Sequence, residues 1–150
     1  MFKLKEDKKS KSLSFFLQDK RYKIDLEKLM NKLNNLSKRN NKNSRICIHK
    51  SLKSSIQIML ILFRKGDKAK PHFHTIEEYN FIIKGKLEIL FYNKQGKLYK
   101  THIAKKNDLI IYDKNKIHNV KAFTEKVFFL EIRKGPFSRK MTPKYPRWVV

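Results

Sequence analysis
A chain of 150 residues, 40% of them apolar, suffices for one domain burying roughly 70% of its unfolded-chain surface. One cysteine, Cys47, excludes an internal disulfide framework; no secretory h-region opens the chain and no apolar run approaches the ~20 residues of a membrane span, so a cytoplasmic protein without a span is expected. The net charge of +24 suits an anionic partner, but the lysines are spread along the chain rather than clustered, which favours compositional bias over a nucleic-acid surface.

Residues 1–23 read as a flexible, basic tail, densest in charge from Lys3 to Lys11. Leu26, Leu29, Met30, Leu33 and Leu36 then recur at helical spacing, predicting a helix over 24–39. Asp25 is placed as its N-cap, with Ile24 and Leu29 as a hydrophobic staple, and turn formers from Lys38 to Ser44 end it. Strand patterns follow at Arg45–His49, Ile56–Phe63, Tyr79–Ile83, Leu87–Tyr92, Leu98–Ile103, Leu109–Tyr112, Asn119–Phe123 and Val127–Ile132. Ile56–Phe63 is apolar on both faces, as a doubly covered strand would be. Short strands separated by turn residues predict an antiparallel sandwich or barrel, with a C-terminal tail over 135–150.

The chemistry-bearing residues concentrate between Gly66 and Gly85. His72 and His74 would project to one face of an extended strand, and Glu78 shares their parity if the strand continues, whereas Glu77 turns away. His118, on a later strand, would close the set. Three imidazoles and one carboxylate suit one divalent metal such as Zn, Fe, Mn or Ni, and ligand type does not choose among them. A lone His-x-His would suit an ordinary edge strand; the spaced set with His118 selects metal.

The succession Gly66, five residues, His72-x-His74, three residues, Glu78, six residues, Gly85 resembles the first motif of the cupins. A second, altered motif surrounds His118: Asn107 and Asn115 stand where cupins carry glycine, and Asp113 replaces a proline. Asn tolerates positive φ, so both turns can persist, while loss of the proline is expected to loosen the loop presenting His118. Arg45, His49, Gln57, Met59, the Pro71–His74 run and Gly135-Pro136-Phe137, behind an N-terminal helix, narrow the resemblance to the WbuC-type cupin-fold metalloproteins. That resemblance covers roughly Ile24 to Trp148. It implies a single domain over 24–150, all-β, with the cupin double-stranded β-helix (jelly-roll) barrel and a short N-terminal α-helix.

It implies further a metal-binding protein that acts on or binds a sugar or sugar nucleotide in surface-polysaccharide biosynthesis. As an enzyme it would be a metal-dependent isomerase or epimerase, or a dioxygenase-like cupin. The alternatives are a non-catalytic, metal-dependent sugar-binding or regulatory module and a basic nucleic-acid-binding protein. His49 is the nominee for proton transfer, and Arg45, Gln57 and Asn80 for contact with a polar or anionic small molecule. Each has a structural counterpart: Arg45 and His49 as pins for the N-terminal segment, Gln57 as a buried, bonded amide. A homodimer is a further expectation.

Overall fold
The computed structural model describes residues 1–19, 22–38 and 43–150. The predicted helix end at residue 39 and most of the turn formers after it lie outside the described residues. Among the described residues ten strands run β1 Leu4–Glu6, β2 Leu13–Leu17, β3 Ser44–Cys47, β4 Ile56–Arg64, β5 Glu78–Lys84, β6 Leu87–Tyr92, β7 Leu98–Ala104, β8 Leu109–Tyr112, β9 His118–Ala122 and β10 Lys126–Lys134, with helix α1 at Leu26–Ser37. They form a seven-stranded sheet in the order β1-β2-β3-β4-β10-β5-β8 and a three-stranded sheet in the order β7-β6-β9. The eight expected strands are all present, with no edge moved by more than two residues.

Two apolar layers explain the arrangement. Alternate residues on a strand point to opposite faces, so β4 serves both. Met59, Ile61 and Phe63 enter the barrel interior with Ile82, Leu87, Ile89 and Phe129. Leu60 and Leu62 face outward, where Ile46 and Phe128 join Leu29 and Leu33 of α1. The double coverage anticipated for this strand is therefore real. The Asp25 carboxylate accepts from Lys28 N at 3.1 Å, the N-cap that the sequence indicated. Arg64 donates to Ser37 Oγ at 2.6 Å, tying the last turn of α1 to β4.

Within the segment expected to be a flexible tail, the described residues form β1 and β2. β2 runs parallel to β3 and buries Phe15 and Leu17 in the outer layer. Parallel neighbours need a crossover, and α1 supplies it. Leu13-Ser-Phe-Phe-Leu17 carried the signal, but the surrounding lysines masked it. Among the described residues no helix is long and apolar enough to cross a membrane.

Two turns depend on left-handed backbone. Asn107 and Asn115 have φ of 73° and 61°, as required of residues standing in for glycine. At Gly85, φ is 83° and a Cβ would collide with Lys126 O, so glycine is demanded there twice over.

Candidate metal centre
The first residues of two strands and the segment preceding one of them deliver the site. Glu78 opens β5 and His118 opens β9. His72 and His74 lie before β5, and His72 pairs with His118 through reciprocal N–H···O bonds of 2.9 Å. The strand expected to run from His72 to Glu78 is interrupted by a bend at Thr75 and Ile76, yet the bend restores Glu78 to the histidines' side. Ring centroids lie 5.0 Å apart for His72 and His74, 4.7 Å for His72 and His118, and 6.3 Å for His74 and His118. His74 Nε2 stands 3.3 Å from Glu78 Oε2, and both side chains are buried. Glu77 is exposed and accepts from Tyr79 Oη at 2.9 Å, as its parity required.

The backbone orients all three imidazoles in the same sense. Nδ1 of His72 lies 2.7 Å from Lys70 O, Nδ1 of His118 lies 2.9 Å from Lys116 O, and Nδ1 of His74 lies 3.3 Å from Met141 O. With Nδ1–H donating to a carbonyl, each ring keeps its lone pair on Nε2, the tautomer a metal ligand needs. The loop that lacks proline is held by other means: Asn115 N donates to His74 O at 2.7 Å, and the Tyr112 ring stacks on His118 at 4.1 Å.

Burial dominates the electrostatics. It lowers the pKa of His72 and His74, and it carries His118 down to about 3, with the neighbouring His72 adding to the effect. It raises Glu78 well above the carboxylate range, reinforced by Glu131 and opposed by Arg133. Without a cation, burial therefore favours the neutral form of both His74 and Glu78. Glu78 Oε2 has no hydrogen-bond partner despite complete burial. An orphaned carboxyl oxygen beside three oriented imidazoles fits a divalent cation in kind, since a bound cation would compensate the buried charge. Among the described residues, no three His, Cys, Asp or Glu side chains stand in finished metal-holding geometry as placed.

A cavity of about 810 Å³ opens over this cluster, and all the other nominated residues line it. Their bonds are largely structural. Arg45 Nε donates to Ser14 Oγ at 3.0 Å and its Nη2 to Ser10 Oγ at 3.3 Å, fastening β2. His49 Nδ1 accepts from Ile58 N at 3.1 Å, and burial lowers its pKa. Gln57 Nε2 donates to Ser54 O at 3.0 Å. Asn80 is buried, with Nδ2 unpartnered.

Two cavity residues escaped notice as site residues: Glu131 and Arg133. The signal existed, because they continue the inward parity of Val127 and Phe129 along β10, placing charge on a core-facing row.

The sequence profile described as "Domain of unknown function (DUF6016)" matches residues 24–104. No curated protein matches the sequence. Among solved structures, an oxalate decarboxylase described for its substrate binding mode and reaction specificity switch superposes with a TM-score of 0.52 at 18% identity, covering 62% of this chain and 25% of that one. A Bacillus subtilis oxalate decarboxylase, described for its Mn(II) centres, gives 0.51 at 20% identity over 60% and 24%. The DMSP lyase DddQ from Ruegeria pomeroyi DSS-3 gives 0.50 at 19% identity over 62% and 45%. The chain thus spans about a quarter of the decarboxylase chains. At such identities the likeness concerns fold, and the fold is the cupin jelly-roll barrel.

Proposed function
This chain belongs to the DUF6016 family, and from that premise we propose a metal-binding cupin whose cavity takes a small polar molecule. His72, His74, Glu78 and His118 would hold one divalent ion, Zn, Fe, Mn or Ni by ligand type. One observation carries this: three imidazoles with Nδ1 turned to carbonyls surround a buried carboxyl oxygen that has no partner. Such an ion supplies Lewis acidity toward a carbonyl or hydroxyl oxygen. The chain's own residues shape the rest: Tyr112 and the backbone fix His118, the Met141 carbonyl orients His74, and Asn80 offers an unengaged amide to the cavity.

The likeness to WbuC-type cupins supports a sugar or sugar nucleotide as the bound molecule, within surface-polysaccharide biosynthesis. His49 is less suited to proton transfer than the sequence suggested, because its Nδ1 is engaged by Ile58. A binding module without turnover therefore stands beside the isomerase or epimerase reading.

Elemental analysis of untagged protein tests the centre. About one equivalent of divalent metal is expected, falling at least tenfold in His72→Ala with the thermal transition retained. Equal metal content in wild type and variant would refute the site.

A further inference from the structure
We infer that Arg133 anchors a carboxylate group of the molecule bound in the cavity. The inference rests on the small-molecule reading above and specifies its ligand class. Three observations carry it. First, Arg133 faces inward beside the candidate centre: its strand register pairs it with Gln57 on one side and Glu78 on the other. Cross-strand partners share a face at roughly 5 Å between Cβ atoms, so one compact ligand can reach both positions.

Second, the guanidinium is buried but barely engaged. Its side chain is 10% exposed, and its one ion pair, Nη1 to Glu131 Oε1, is long at 3.8 Å. Nε is buried with no acceptor. A rigid fork of N–H donors left unsatisfied in a cavity wall is built for a planar oxyanion, which it can meet with two parallel bonds. Third, the surroundings choose among oxyanions. Phe137 lies against one side of the guanidinium, its ring centroid 6.0 Å from Cζ, giving the slot an apolar wall. Glu131 stands near, so a dianionic phosphate meets more repulsion than a monoanionic carboxylate does. The ligand class is a small hydroxy or keto acid, a sugar acid included, whose carboxylate sits on Arg133 while a neighbouring oxygen points to the histidines.

Calorimetric titration of wild-type protein, metal-free and loaded with Zn²⁺, tests this with glycolate, pyruvate and galacturonate. Glycolamide, hydroxyacetone, galactose and inorganic phosphate are the controls. At least one carboxylate is expected to bind tenfold or more tightly than its neutral analogue and than phosphate. Arg133→Gln should weaken that binding at least tenfold while leaving bound zinc unchanged. Glu131→Gln, which removes a competing carboxylate, should leave it equal or up to about tenfold tighter, and serves if Arg133→Gln does not fold. Carboxylates that bind no better than their neutral analogues, or bind Arg133→Gln as well as wild type, would overturn the anchor. So would at least tenfold weaker binding to Glu131→Gln, or phosphate preferred over every carboxylate. Absence of bound zinc, with Arg133-dependent carboxylate binding intact in metal-free protein, would refute the metal centre and leave the anchor standing.

Discussion
The two ends of the barrel interior are built from the same three strands and behave as opposites. One row crossing β4, β10 and β5 reads Ile61, Phe129, Ile82, all buried and apolar. Two residues along, it reads Met59, Glu131, Asn80; two further, it reads Gln57, Arg133, Glu78, with Tyr112 of β8 beyond. The backbone pairing hardly changes, so side-chain chemistry alone converts core into cavity wall. The first row holds the sheets together by close packing. The last row leaves Arg133 Nε, Glu78 Oε2 and Tyr112 Oη buried and unpartnered, which costs stability unless something binds there.

That contrast breaks first at its apolar end. Phe129→Ala should cost about 3–5 kcal/mol in denaturant unfolding, because a close-packed interior cannot collapse around the cavity left behind. A loss below about 1 kcal/mol would show that this row is not the mechanical centre. At the polar end the response should instead follow pH. Burial holds His118 at about 3 against an unfolded value of 6.5. As pH falls below about 6.5 the unfolded chain gains that proton first, so stability is full above 6.5 and declines toward pH 3, by up to about 1.4 kcal/mol per unit. Glu78 acts in the opposite sense: its raised pKa makes stability decline as pH rises past its unfolded 4.5. The His118 contribution is therefore read as the difference between chelator-treated wild type and His118→Gln, and a difference independent of pH from 7 to 4 would contradict it.

The smallest effect sharpens the contrast most. Replacing the pair together, Glu131→Leu with Arg133→Met, should leave metal-free stability within about 1 kcal/mol of wild type or raise it, since a buried ionic pair contributes little against apolar side chains of similar size. A loss above 3 kcal/mol would make the pair a structural strut.

Most of the site was legible because period-2 patterning and fixed spacing are local properties. Histidines one residue apart share a face, and Asn at 107 and 115 could be read as permissive of left-handed backbone. Glu131 and Arg133 were harder to recognise. In sequence they are charges near the end of an apolar run, as at many exposed strand ends. Only the flanking of β10 by β4 and β5 makes that end interior. β2 was missed for a related reason: five residues among lysines form a strand only once β3 offers an edge.

The order of residues by itself determined the strands from β3 onward, the N-capped helix, the left-handed turns and the candidate set of His72, His74, Glu78 and His118. Each of these depends on neighbours within a few positions, where sterics and alternation act directly. The meeting of His72 with His118, the turning of three Nδ1 atoms to carbonyls, and the placing of a guanidinium beside Glu78 were decided by tertiary structure alone. Those contacts join segments far apart in the chain, and they form when two sheets close over a shared apolar interior.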